Sequence, residues 1–246
     1  MGKIFEALEK ARREREGLKS PPMIVVLPPG ERPGGEIRFP AEGAMVALSR
    51  NIDALLETTP RKVIQFIGSQ AGEGTSTVVR DFAMFSAGRL RKSVLLLDTD
   101  HRNPSQCEFF RTTSKIGWEE IVHDKGAFEK AISKIGDIDL YVYSPSPSSP
   151  ATPNILYSSE IKDFWEETRQ LFDLILIDSA PAATSPDGIT LSRYVDGVVL
   201  VLEAEKTRKP VADSLKNQIL QNGGNLLGMV FNKRRYHIPD WMYKRL

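Results

Sequence analysis

Short, almost wholly apolar runs recur along this chain, each followed by a polar stretch of helix length. They are KVIQFIG (62–68), KSVLLLDTD (92–100), FDLILIDSAP (172–181), VDGVVLVLEA (195–204) and LLGMVFNK (226–233). A strand with one face in water alternates apolar and polar residues. These runs do not alternate, so both of their faces must be covered. Strands that are buried on both sides and alternate with helices predict a parallel sheet between two helical layers. The expected fold class is therefore α/β, a doubly wound, mainly parallel sheet with helices on both faces. Helices are expected near 42–58, from the glycine loop at 72–74 to about 89, over 117–132 (GWEEIVHDKGAFEKAI), and near 158–171 and 208–222. DLYVYSP (139–145) reads as a further strand, followed by a Ser/Pro loop at 144–153.

Composition narrows the function. The chain has 246 residues, 41% apolar and 26% charged, which suits one large domain with appendages. A net charge of +1 gives no global field for nucleic acid or an anionic membrane, and no nucleic-acid motif is evident. His101, His123 and His237 show no metal-ligand spacing, and RKS (91–93) and KRR (233–235) read as solvated basic surface. Cys107 is the only cysteine, so no intramolecular disulfide can form, which suits a reducing cytosol. It reads as a small apolar core residue, because no His or Asn/Asp pattern accompanies it.

Three segments are expected. Residues 1–16 form an amphipathic helix with Ile4, Phe5, Leu8 and Ala11 on one face. Too short to stand alone in water, it docks either on its own domain or on another protein. Residues 17–40 hold six prolines and four glycines and read as a linker, within which MIVVL can add an edge strand. Residues 41–246 form the α/β domain to which the apolar runs belong. MGKIFEALEKARREREG is too charged for a signal peptide, and Glu6 stands where myristoylation wants Ser or Thr. The apolar runs are too short to span a bilayer. Any membrane association is therefore expected to go through a partner or a surface helix.

The loop after the first of these runs carries the chemistry. In FIGSQAGEGTSTVVRDFA (66–83), Gly72, Glu73 and Gly74 permit a tight backbone between strand and helix. Its N–H groups and the helix N-terminus suit phosphate oxygens, and Ser76 sits where a phosphate loop places its Mg²⁺ hydroxyl. Alone, such a loop is equally an ordinary βα turn. Asp98 and Asp100 end a second run and Asp178 ends a third. Carboxylates just past buried strands lie where open α/β sheets bind ligands, and there they can hold Mg²⁺ through its waters. Each could instead merely cap the next helix.

With these stretches together, AGEGTSTVVRDFA, VLLLDTDHRNPS and FDLILIDSAPAATSPDG resemble the three nucleotide motifs of the bacterial tyrosine kinases of capsule and exopolysaccharide synthesis. These are P-loop proteins related to the MinD/ParA ATPases. The second motif is matched by Asp98, Asp100, Arg102 and Pro104, the third by Asp178 and Pro181, with Asp187 following. GKIFEALEKA also looks like family members that accompany exopolysaccharide export. The resemblance implies ATP or ADP with Mg²⁺. It assigns phosphate binding to backbone N–H groups of Gly72, Glu73, Gly74, Thr75, Ser76 and Thr77. Asp98 and Asp100 would serve the metal and the acceptor hydroxyl, and Ser76 and Asp178 the metal. Arg102 would lie at the nucleotide and Asn232 near the adenine. The implied partner is a membrane polysaccharide co-polymerase or chain-length-determinant protein. A homo-oligomer is left open and no nucleic acid is expected.

The chain departs from the family pattern at named positions. Thr75 stands where the loop lysine belongs, and threonine cannot offset phosphate charge. Arg80, Arg102 or Arg208 are candidates to replace that charge. The family's charged oligomerisation motif falls on Gly43, Val46 and Ser49, and its terminal tyrosine cluster is reduced to Tyr236 and Tyr243. Gln70 occupies the second lysine position of the partition-type ATPases. Three functions follow: an Mg-ATP-dependent tyrosine autokinase or slow ATPase with weak or absent catalysis, a non-catalytic ATP/ADP-binding switch, or a MinD/ParA-like positioning ATPase.

Overall fold

The structure, a computed structural model, describes residues 23–27, 42–146 and 160–234. Its strands are β1 (Met23–Val26), β2 (Lys62–Gly68), β3 (Val94–Asp98), β4 (Ser133–Lys134), β5 (Leu140–Tyr143), β6 (Leu174–Asp178), β7 (Gly197–Glu203) and β8 (Leu226–Asn232). They form one sheet in the order β1-β8-β7-β2-β6-β3-β5-β4. Every pairing is parallel except β4 with β5. The mainly parallel, doubly wound sheet expected from the apolar runs is present.

The apolar runs divide their residues between two cores. On one face, Ile64 and Phe66 of β2, Leu96 of β3 and Val199 of β7 pack under α1 (Glu42–Leu55) and α2 (Thr75–Gly88), against Leu48, Ile52, Val78 and Phe82. On the other, Val63, Ile67, Leu95 and Leu97 meet α4 (Trp118–His123), α5 (Lys125–Ala131), α6 (Glu160–Thr168) and α8 (Lys209–Gln221), through Trp118, Phe128, Trp165 and Ile219. Successive residues of one strand thus enter opposite cores, which is why polar positions are nearly absent from them. Among the described residues no helix is long and apolar enough to cross a membrane.

Strand order creates the crevice. The chain leaves β2 for β3, which lies beyond β6, and leaves β6 for β7, on the other side of β2. The loops after β2 and β6 therefore diverge, and the carboxyl ends of the two strands open a gap at this switch point. All three candidate motifs sit on that rim.

Some local expectations are corrected. The helix expected over 117–132 is two helices, because Asp124 is extended (φ −127°, ψ 110°) and its carboxylate accepts from Gly126 N at 2.8 Å. An Asp side chain competes with the helix for backbone donors, so it ends α4 and caps α5. The five-residue helices α3 (Gln106–Phe110) and α7 (Asp187–Leu191), and the two-residue β4, were not expected; they are too short to show a period. MIVVL does supply an edge strand, β1, parallel to β8. Cys107 is half-buried rather than a core residue, and its thiol faces the Pro104 carbonyl at 3.3 Å. The helix expected at 2–16, the rest of 17–40, and Tyr236, His237 and Tyr243 lie outside the described residues.

Candidate nucleotide site

The loop is built around an inward-turned carboxylate. Glu73, only 3% exposed, accepts from Ser69 N at 2.5 Å, Ser69 Oγ at 2.8 Å and Gln70 N at 2.9 Å. Thr207 Oγ1, from the loop after β7, donates to the same carboxylate. Two left-handed glycines, Gly72 (φ 87°) and Gly74 (φ 88°), flank it. Gly74 is required twice over: its φ suits no branched residue, and a Cβ there would lie 2.2 Å from Asn232 Nδ2. Glu73 thus consumes the N–H groups of Ser69 and Gln70. Helix α2 opens from Gly74 with no side-chain cap, so its first N–H groups, on Thr75, Ser76 and Thr77, face outward as anion donors. Glu73→Ala would leave the buried Ser69 N–H and the partly buried Gln70 N–H without an acceptor. We expect it to lower unfolding free energy by roughly 2–4 kcal/mol in a denaturant melt; a loss under about 1 kcal/mol would show that the carboxylate does not hold the loop.

The carboxylates converge. Register pairs Asp98 of β3 directly with Asp178 of β6. Both are almost fully buried, 0% and 1% exposed. Asp98 accepts from Asp100 N, Ser105 N, Gln106 N and Ser144 Oγ at 3.0–3.1 Å. Burial, then the charge of Asp178, still pushes its carboxyl well above the usual range. Burial does the same to Asp178, opposed by hydrogen bonds from Gln106 and Ser76. Gln106, fully buried, ties the pair to the loop: its Nε2 donates to Asp178 Oδ2 at 2.7 Å and to the Ser76 carbonyl at 3.0 Å. Asp178 Oδ1 is buried with no hydrogen-bond partner among the described residues.

This donor set fits a divalent cation that arrives with its own oxygen ligands. Among the described residues no three His, Cys, Asp or Glu side chains form a protein-only metal cage. Mg²⁺ needs none, because it keeps waters and substrate phosphates and takes one or two carboxylates. Two adjacent buried carboxyls with one unpartnered oxygen, beside the Ser76 hydroxyl and a ring of N–H donors, are such a half-built shell.

The other expected residues fall as follows. Asp100 is half-buried; its Oδ1 accepts from Arg102 N at 3.2 Å and Asn103 N at 3.1 Å, turning the loop after β3. Arg102 is exposed and donates to the Thr184 carbonyl at 3.1 Å, linking the loops after β3 and β6. Asn232 is buried, and its Nδ2 donates to Glu73 O at 2.9 Å, so its amide holds the loop. Thr75 is 8% exposed, with its hydroxyl 2.6 Å from where a Cβ on Gly68 would stand. Of the proposed replacement cations, Arg80 stacks over the Phe109 ring at 3.8 Å, and Arg208 is exposed at the start of α8.

Sequence reasoning missed Gln106, Ser144, Thr207 and Lys233. The first three are common polar residues in loops or short elements, with no pattern to mark them. Lys233 is exposed, as expected of solvated surface, and its ammonium also donates to the Gly72 carbonyl and lies 3.5 Å from Glu203 Oε2. Its place directly after Asn232 was the available signal.

The fold is that of P-loop proteins of the MinD/ParA type. MinD of Pyrococcus horikoshii, solved with Mg-ADP, superposes with a TM-score of 0.58 at 17% identity, over 75% of this chain and 76% of that one. The kinase domain of the Escherichia coli tyrosine kinase ETK superposes with 0.75 at 19% identity, over 92% and 94%. No family model matches the chain. It is 30% identical to the tyrosine-protein kinase CpsD of Streptococcus pneumoniae over 194 residues, 78% of this chain and 84% of that protein. It is 27% identical to the tyrosine-protein kinase YwqD of Bacillus subtilis over 185 residues, 75% and 78%. The chain belongs to the bacterial tyrosine-protein kinase family.

Proposed function

We propose that this chain binds Mg-ATP or Mg-ADP at the Gly72–Thr77 loop and acts in exopolysaccharide or capsule synthesis and export. It works on the cytoplasmic side of the inner membrane, beside a membrane polysaccharide co-polymerase. The observation that carries this reading is the meeting of the Asp98–Asp178 pair with the glycine loop at one rim of the sheet. Backbone N–H groups of residues 72–77 hold phosphate oxygens, helped by the α2 dipole. Ser76, Asp98 and Asp178 hold the metal, which when bound offsets charge on the phosphates. Asp100, at the mouth of the site, is placed to orient or deprotonate an acceptor hydroxyl.

Thr75 favours slow turnover. With no lysine inside the loop, the site retains its dipoles for binding but lacks the preorganised charge that phosphoryl transfer uses. The protein then acts chiefly as a nucleotide-dependent switch on its partner, with autokinase activity weak. A paired assay decides between the two: ATP binding by calorimetry and phosphotyrosine formation with Mg²⁺. Binding without phosphorylation supports the switch. Strong phosphorylation lost in Asp98→Asn and Asp100→Asn makes it a working kinase. Absence of ATP and ADP binding at millimolar concentration removes the nucleotide site altogether.

A further inference from the structure

We propose that Lys233 supplies, from the end of β8, the positive charge that the loop lacks at Thr75, and that its ammonium meets the phosphates of the bound nucleotide. The proposal rests on the nucleotide reading above and names the cation of that site.

The backbone delivers this lysine to the loop. Asn232 turns its side chain onto the loop, donating to Glu73 O, and its Oδ1 accepts from Lys233 N at 2.9 Å. Lys233 is thereby held in the left-handed region, φ 58°, which a residue with a Cβ seldom enters. Strain of this kind persists where the surroundings impose it. Its consequence is direction. The stem passes the loop, with Cε 3.8 Å from where a Cβ on Gly74 would stand, and the ammonium ends on the Gly72 carbonyl.

The electrostatics suit an anion. Glu203 Oε2 is shared between Lys206 Nζ at 3.0 Å and Lys233 Nζ at 3.5 Å. Lys206 is the nearer partner of that carboxylate, so Lys233 is the less firmly paired of the two ammoniums. The Lys233 side chain is 42% exposed, hence accessible to an incoming ligand. A backbone carbonyl is a neutral acceptor, and a phosphate oxygen is a charged and stronger one. Exchange of Gly72 O for phosphate needs only rotation about a flexible stem. The three arginines named from sequence offer no such contact: one is stacked on Phe109, one bonded to Thr184 O, and one exposed at α8.

A pure tether between β8 and the loop is the competing role, and adenosine separates the two. Calorimetry is run with ATP, ADP and adenosine on wild type, Lys233→Met, Lys233→Arg and the Thr75→Lys/Lys233→Met double variant. Lys233→Met is expected to weaken ATP and ADP on the order of tenfold while leaving adenosine unchanged. Lys233→Arg should stay within about threefold of wild type, and the double variant should regain phosphate affinity. Equal losses for adenosine and ATP would reduce Lys233 to a tether and overturn the proposal, as would unchanged affinity throughout. If wild type binds neither ATP nor ADP, the nucleotide reading fails first and the proposal with it.

Discussion

Asp178→Asn is expected to stabilise the nucleotide-free protein at neutral and alkaline pH while removing its response to Mg²⁺. In the wild type two buried carboxyls face each other across β3 and β6. An ordinary aspartate in the unfolded chain ionises near 4, whereas burial and the neighbouring charge push Asp98 up to about 8. Over that window the folded state holds protons that the unfolded state has lost. Stability is therefore fully present below the unfolded value and falls as pH rises toward the folded one. The asparagine keeps an oxygen for Gln106 and removes one of the two charges. A gain on the order of 1 kcal/mol, roughly 2–4 °C, is expected at pH 8, with a flatter pH profile. Mg-ATP at a hundred times its dissociation constant should stabilise the wild type by about 2.7 kcal/mol, and the variant hardly at all. Thermal melts at pH 5, 7 and 8.5, with and without Mg-ATP, check both halves. A variant less stable than wild type at pH 8, or one still shifted fully by Mg-ATP, would refute the account of the pair.

Thr75→Lys carries the second large effect, in the opposite direction. The residue opens α2 and is buried against Gly68, and its backbone N–H already lies in the anion-binding turn. A lysine stem there places charge inside the loop, where phosphoryl transfer develops it. Lys233 sits outside the loop and serves the bound ground state; a charge felt only as transfer proceeds raises the rate instead. Phosphotyrosine formation with Mg-ATP is expected to rise on the order of 10²–10³-fold. The same substitution puts a cation at a helix N-terminus and should lower stability without nucleotide by about 0.3–1 kcal/mol. Tighter ATP binding with no faster phosphorylation would mean that something other than the missing lysine limits turnover, and Asp100 with its acceptor geometry would be examined next.

The two variants draw on one physical feature, a site built for charges that arrive with the ligand. The buried pair is costly alone, and in the proposed site a bound cation would offset that cost. The loop's outward donors are likewise unused until phosphate fills them. Function and stability are therefore expected to trade against each other at Asp178 and Thr75.

Much of this was written into the chain locally. Runs such as VLLLD and LILID are buried on both faces by composition alone, so a parallel two-layered sheet followed without any knowledge of contacts. Asp98, Asp178 and the glycines of the loop were legible because each ends or follows such a run, and the ends of parallel strands share one rim. What a one-dimensional pattern cannot hold is which strands become neighbours. The placement of β6 between β2 and β3 brings Asp178 against Asp98, eighty residues distant, and adds its charge to the upward push that burial gives Asp98. Tertiary contact alone turned Glu73 inward as a brace, drew Gln106 from an unmarked short helix onto Asp178 and Ser76, and bent Lys233 onto Gly72. Those roles come from hydrogen bonds made across the fold, and a side chain's partner is decided by where the backbone carries it, not by the residues beside it in sequence.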